Sequence, residues 1–185
     1  MKALKIVAMV ACVLMLASCG TQPPKHVPQA AMSPPKKLNL RNAQDIAGAT
    51  VVQRDDYNNA TKYKGPDIAN SPWDQLFVRA LKTDSGIVTY QVCVVISYSG
   101  AWRFYNNVQD TKGDALYLAD MTRNLGNCQR NDCSHNEHLE IDVTEKYLEK
   151  HMRGGLRFKV SGKAAKEEMF FIPSYYIKAF LSLPD

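Results

Sequence analysis

The sequence predicts a mainly β domain, an antiparallel β-sandwich or curled sheet of about eight strands with two short helices; α+β is the alternative class. Three observations carry this prediction. Apolar and polar residues alternate with period 2 in short runs, and turn-forming residues separate those runs. No helix-length segment separates the early strands, which favours antiparallel hairpins over parallel crossovers.

The longest predicted strand lies at the centre of the sequence. Residues 84–86 separate it from an earlier strand over 75–82. Ser99 and Gly100 then turn the chain into a next strand that contains Trp102 and Phe104. We therefore expect these three strands to form a meander. The apolar face of the long strand consists of Val88, Tyr90, Val92, Val94, Ile96 and Tyr98, and the other face of Gln91, Cys93, Val95 and Ser97.

Shorter runs and two helices complete the predicted domain. The first helix begins at the capping-box spacing of Asp142 and Glu145 and ends at Gly154. The second has Ser174 as its N-cap, and its apolar positions have helical spacing up to Leu181. The remaining predicted strands cover 49–53, 116–122, 139–143, 156–160 and 169–172.

Residues 1–18 have the three-part form of a secretory signal peptide. Lys2 and Lys5 precede an apolar run over 6–17, which is shorter than the about 20 residues that a membrane-spanning helix needs. The run ends in Leu-Ala-Ser-Cys, which resembles the bacterial lipobox and implies acylation of the Cys19 thiol. Gly20 resembles the outer-membrane sorting pattern of lipoproteins.

Residues 19–43 are predicted to form a lipidated, proline-rich tether. Five of the nine prolines lie between positions 21 and 40, and such a segment stiffens toward polyproline II without forming a core. Residues 44–185 then form a single β-rich globular domain. The chain without its signal peptide keeps 21 of the 23 basic residues against 18 acidic ones. Because this excess is small and scattered, nucleic acid is not expected as a partner.

A predicted polar loop over 127–138 contains most of the residues with distinctive chemistry. Outside the cytosol, Cys128 and Cys133 are expected to form a disulfide. The alternative is a metal site, because these cysteines and two nearby histidines make a Cys₂His₂ set, although zinc sites usually draw ligands from two separated segments. The histidines are expected to be exposed. The candidate binding residues of this loop are Arg130, Asp132, His135, Glu137 and His138.

The sequence lacks the nucleophile-elbow, zinc-protease and phosphate-loop motifs, so we assign no catalytic residue, metal or cofactor. Glu137, Glu140 and Asp142 are predicted to alternate along one strand face. Paired acids there suit a glycosidase, but such residues are more often polar surface. The aromatic residues Trp73, Trp102, Phe104 and Tyr105 are expected to pack in the core rather than line a ligand groove.

Between Trp73 and Leu183 the chain resembles a group of small, uncharacterised proteobacterial lipoproteins. The resemblance implies a lipobox signal peptide followed by a β-rich domain without an assigned activity. The segments that carry it are GAWRFYNNVQD, GDALYLADMTRN, the cysteine pair followed by Glu137, GGLRFKVSG and IPSYYIKAFL.

Together these features predict a non-enzymatic lipoprotein of the cell envelope. We expect it to be held in the outer membrane by lipid on Cys19, with its domain in the periplasm. Its expected role is a tethered binding or adaptor domain that docks another envelope protein. Two alternatives stay open, a hydrolase acting on cell-wall glycan and a metal-binding lipoprotein.

Overall fold

The described residues form nine strands in two antiparallel sheets with three short helices, which confirms the mainly β class. The structure, a computed structural model, describes residues 40–129, 132–164 and 167–184, without the side chains of Asn127, Gln129 and Asp132. Cys19, Arg130 and the tether as far as residue 39 lie outside the described residues. The elements are α1 (Ala43–Ala49), β1 (Val51–Asp55), β2 (Ala60–Lys64), β3 (Gln75–Thr83), β4 (Val88–Ser99), β5 (Tyr105–Asp110), β6 (Tyr117–Gln129), β7 (Asp132–Val143), α2 (Glu145–His151), β8 (Leu156–Gly162), β9 (Glu168–Ile172) and α3 (Ser174–Leu181).

The larger sheet has six strands in the order β1-β2-β3-β4-β7-β6, and its neighbouring strands are antiparallel. β4 is the predicted long strand, and its predicted apolar face, except the half-buried Val88, is buried in the core. β6 and β7 form a long hairpin, with Tyr117 paired to Asp142 at one end and Gln129 to Asp132 at the other. Sequence alternation therefore identifies the inner face of this sheet correctly.

A second sheet contains β5, β8 and β9 in that order. The predicted meander is wrong in its last member: β3 and β4 form a hairpin, but β5 begins at Tyr105 and pairs with β8. Trp102 and Phe104 lie in the connection between the two sheets. Phe104 has φ of 55°, a left-handed conformation that interrupts an extended strand.

The helix starts differ from the predicted ones by one or two residues, and α2 ends at His151, three residues before the predicted Gly154. Thr144, not Asp142, is the N-cap of α2, and its side chain accepts a hydrogen bond from the Tyr147 N–H at 3.1 Å. Pro173 is the N-cap of α3, and Ser174 is its first helical residue. Neither α1 nor β2 is predicted from the sequence, because each has only one fully buried residue and therefore no clear apolar period.

One hydrophobic core includes residues from both sheets and all three helices. α3 packs on the β2–β3 side of the larger sheet through Tyr176. Its hydroxyl donates to the carbonyl of Pro66 at 3.0 Å and accepts from the N–H of Val78 at 3.1 Å. Gly65 makes room for this contact, because a Cβ built at that position would lie 2.0 Å from the Tyr176 oxygen.

The domain has two ends, which we name after the elements at each end of β7. The hairpin end contains the end of β6, the start of β7, the last residues of β4 and the connection over 100–104. The helix end contains α2, which begins two residues after β7. The twelve residues of β7, at about 3.4 Å each, place these ends about 40 Å apart.

Candidate functional site

The predicted polar loop over 127–138 is largely a β-hairpin. Cys128 and Cys133 face each other across β6 and β7, with their sulfur atoms 2.09 Å apart and their Cα atoms 4.0 Å apart. The cysteines thus lie at disulfide-bonding distance, as predicted. A loop this short contributes only about 2 kcal/mol to stability, so the bond mainly holds the register of the two strands near their turn.

Glu137 lies on the inner face of β7 and is 0 % exposed. Its carboxylate accepts four hydrogen bonds. One oxygen accepts from the Tyr98 hydroxyl and from the Phe104 N–H at 3.0 Å, and the other accepts from the Tyr105 N–H at 3.0 Å and from Arg123 Nε at 2.9 Å. Because a buried carboxylate needs a partner for each oxygen, this set accounts for its burial.

These bonds attach the start of β5 to the larger sheet. Consecutive N–H groups at Phe104 and Tyr105 converge on Glu137, which the positive φ of Phe104 makes possible. The adjacent Arg103 donates its N–H to the Tyr98 hydroxyl at 2.9 Å and places its guanidinium 4.2 Å from the Tyr98 ring centroid. Burial and the Glu137 carboxylate raise the pKa of Tyr98 to about 12. The connection between the sheets is therefore rigidly held.

His135 is buried, with 8 % of its surface exposed, so the prediction of an exposed loop histidine is wrong. Its ring stacks on Tyr98 with centroids 5.7 Å apart, and the Trp102 ring meets it edge-on at 4.3 Å. Its Nδ1 has no hydrogen-bond partner among the described residues. Register pairs His135 with Tyr98 on one side and with Leu125 on the other, so the three side chains form a row across β4, β7 and β6.

Exposed apolar side chains lie at the same end of the domain as Glu137, His135 and Tyr98, which we call the buried frame. Leu125 is 60 % exposed and Phe104 42 %, and the half-buried Trp102 lies between Phe104 and His135. Trp73, 76 % exposed, lies at the same end, because the side chain of the next residue, Asp74, accepts from the N–H of Ser97. The expectation of core packing is therefore wrong for Trp73 and Phe104, which belong to connections, and right for Tyr105.

Glu140 and Asp142 lie on the other face of β7 from Glu137, so the prediction that all three acids share one face is wrong. Positions 137 and 140 differ by an odd number of residues, and alternation sends them to opposite sides. Glu140 forms an ion pair with Arg79, and Gln91 bridges Arg79 and Asp142 with bonds of 2.6 and 2.7 Å. A glycosidase needs two carboxylates flanking one bond, and here the sheet separates Glu137 from Glu140.

The four residues of the proposed metal site do not converge. The sulfurs of Cys128 and Cys133 lie at bonding distance from each other, and a disulfide offers no thiolate ligand. His135 lies on the inner face of β7, whereas alternation places the half-buried His138 on the outer face. Within the described part of the chain, no group of three or more His, Cys, Asp or Glu side chains has a metal-binding arrangement.

Sequence reasoning missed Tyr98 and Arg123 as partners of Glu137. The sequence signal that could have found them is alternation. Glu137 has the same alternation as the inward-facing positions 139, 141 and 143, and Arg123 pairs with it directly in the register of β6 and β7. Two opposite charges in phase with apolar residues on neighbouring strands indicate a buried ion pair. Of the remaining candidates, Asp132 is in β7, but its side chain is not described.

Comparison of the chain with family models, curated proteins and solved structures gives no match. Among the described residues, no helix is both long and apolar enough to cross a bilayer.

Proposed function

We propose that this protein is a non-enzymatic envelope lipoprotein whose hairpin end docks another envelope protein. The signal-peptide pattern, the lipobox at Cys19 and the proline-rich segment support the anchor and tether. Gly20 supports the outer membrane, with the domain in the periplasm. A tether raises the local concentration of the domain near membrane-bound partners, so a modest docking surface suffices.

The exposed apolar side chains at the hairpin end are the observation that carries this proposal. Trp73, Phe104 and Leu125 present apolar surface to solvent at one end of the domain, and Phe104 contacts the half-buried Trp102. Aromatic residues are enriched at the centres of protein interfaces, and Trp is frequent among residues whose truncation weakens binding most. Clustered exposed apolar residues typically indicate a binding surface.

The buried frame beneath these side chains favours recognition by a preformed surface. Glu137 fixes the backbone at Phe104, and His135 and Tyr98 support Trp102 from below. The cysteine pair closes the hairpin that carries Leu125. Little conformational entropy is then lost when a partner binds, since these groups are already ordered.

Crosslinking in intact cells tests the proposal, followed by purification through this protein and quantitative mass spectrometry. The informative variant is Leu125→Asp, which places a charge on the hairpin end. Its matched control is Ile87→Asp in the β3–β4 turn at the other end, because Ile87 is 62 % and Leu125 60 % exposed.

We expect one envelope protein to be recovered near stoichiometry with the wild type and with Ile87→Asp, and to be lost with Leu125→Asp. Equal loss in both variants would assign the effect to general surface charge. Recovery that is unchanged in Leu125→Asp, or recovery of abundant bystanders alone, would refute docking through the hairpin end.

A further inference from the structure

A basic surface lies at the helix end, away from the apolar side chains described above. α2 and the two residues after it border a shallow depression of about 510 Å³. Three of the residues around it are cationic and one is acidic, giving a net charge of +2. The lining residues are Lys146, Glu149, Lys150, Met152 and Arg153.

The three cations of this surface are not used by the fold. Lys146, Lys150 and Arg153 are exposed, and none forms an ion pair with a described residue. Six other basic side chains do form ion pairs with described residues. The paired ones are Arg54, Lys62, Arg79, Arg103, Arg123 and Lys159.

Leu40, the first described residue of the chain, lies against α3. The Tyr175 hydroxyl on α3 donates to the carbonyl of Leu40 at 2.9 Å, so the first described residue is attached to α3. α3 also packs against α2. The basic surface and the point where residues 1–39 join the domain are therefore neighbours of one helix, while the hairpin end lies at the far end of β7.

We propose that Lys146, Lys150 and Arg153 bind the phosphate groups of anionic phospholipids, with Met152 and the lysine stems against the headgroup region. Lysine and arginine near an anionic bilayer contribute about a fivefold gain in partitioning each, and long side chains lay their stems along apolar surface. The bound domain directs its helix end to the membrane and its hairpin end away from it. This inference goes beyond protein docking and holds whether or not Cys19 is acylated.

Co-sedimentation with vesicles tests the inference. The sample is the chain over residues 19–185 with the substitution Cys19→Ser, because serine at this position cannot carry the thioether-linked lipid. We expect it to bind vesicles that contain phosphatidylglycerol and not to bind vesicles of phosphatidylcholine. The binding to phosphatidylglycerol should weaken as the salt concentration rises. The triple variant Lys146→Gln, Lys150→Gln, Arg153→Gln is expected to bind about 100-fold more weakly, from three charges at about fivefold each.

Single substitutions give matched controls that leave the fold intact. Lys150→Gln should weaken binding about fivefold, whereas Lys163→Gln, an exposed lysine after β8, should not. Glu149→Gln should strengthen it by a similar factor. Equal binding to both lipids, equal effects of Lys150→Gln and Lys163→Gln, or weaker binding of Glu149→Gln would each overturn the assignment. Because partner capture is measured separately, failure here leaves the docking proposal standing, and the reverse also holds.

Discussion

Replacing Glu137 with Gln removes the charge that attaches β5 to the larger sheet. One oxygen remains and still accepts from Tyr98 and Phe104. The new amide N–H₂, however, faces the Tyr105 N–H and Arg123 Nε, which now lack an acceptor. Two charge-assisted hydrogen bonds of about 1.5–2 kcal/mol each are lost. The Arg123 side chain is 28 % exposed, so a hydrogen bond from Arg123 to water offsets part of the lost stability. We therefore expect the free energy of unfolding to fall by about 3 kcal/mol.

Urea unfolding under non-reducing conditions measures this change. With a slope of about 2 kcal/mol/M, the midpoint of Glu137→Gln should fall by about 1.5 M. The matched control is Glu140→Gln, whose side chain is 29 % exposed and paired with an Arg79 that is 41 % exposed. A partly solvated pair of this kind contributes under about 1 kcal/mol. If the two variants unfold at the same urea concentration, the buried carboxylate does not hold the sheets together as argued.

Three further predictions follow from the packing. Gly65→Ala should lower the free energy of unfolding by about 2–3 kcal/mol, because its Cβ would displace the Tyr176 hydroxyl. Gly48→Ala in α1, where nothing lies within 4 Å, should raise it by up to about 1 kcal/mol; a reversed order in urea melts would contradict the placement of α3. Burial raises the pKa of the Cys93 thiol to about 11, so maleimide, mapped to Cys93 by peptide mass spectrometry, should label it only after unfolding. Rapid labelling of native protein would show that the sheet exposes it. The pKa of Tyr98 lies above the value of about 10 expected in the unfolded chain, so its contribution to stability is complete below pH of about 10 and is lost as the pH rises toward 12. The wild type should therefore lose stability more steeply in that range than Tyr98→Phe, and parallel curves would count against the Tyr98–Glu137 contact.

The inner face of β4 is the part of the fold that the sequence predicts best. Alternation over Val88 to Tyr98 is sufficient, because period 2 directly determines which side chains share a face. The strands that pair with β4 are predicted less well. The pairing with β3 can be predicted from the short turn between the two strands. The pairing with β7 joins residues 35 to 53 positions apart in sequence, and no local pattern specifies it.

The sequence predicts the candidate site only in part, because local patterns do not specify which distant strands pair. Two cysteines five positions apart are enough to predict a disulfide, since their proximity is local. The burial of His135 and Glu137 depends on Trp102, Tyr98 and Arg123, which reach them only after β4, β6 and β7 have paired. A polar sequence over 127–138 therefore resembles a loop, although most of it is strand with every second side chain turned inward.

The strand order also constrains how the chain can be made. β4 can pair with β3 as soon as β4 has been synthesised, because β3 precedes it in the chain. The other edge of β4 stays unpaired until β7 has been synthesised, and residues 100–131 lie between these two strands. During that interval a long apolar strand presents free backbone N–H and C=O groups, the arrangement that templates intermolecular β-pairing. Chains truncated before residue 132 should therefore aggregate, whereas the chain through residue 185 should stay monodisperse.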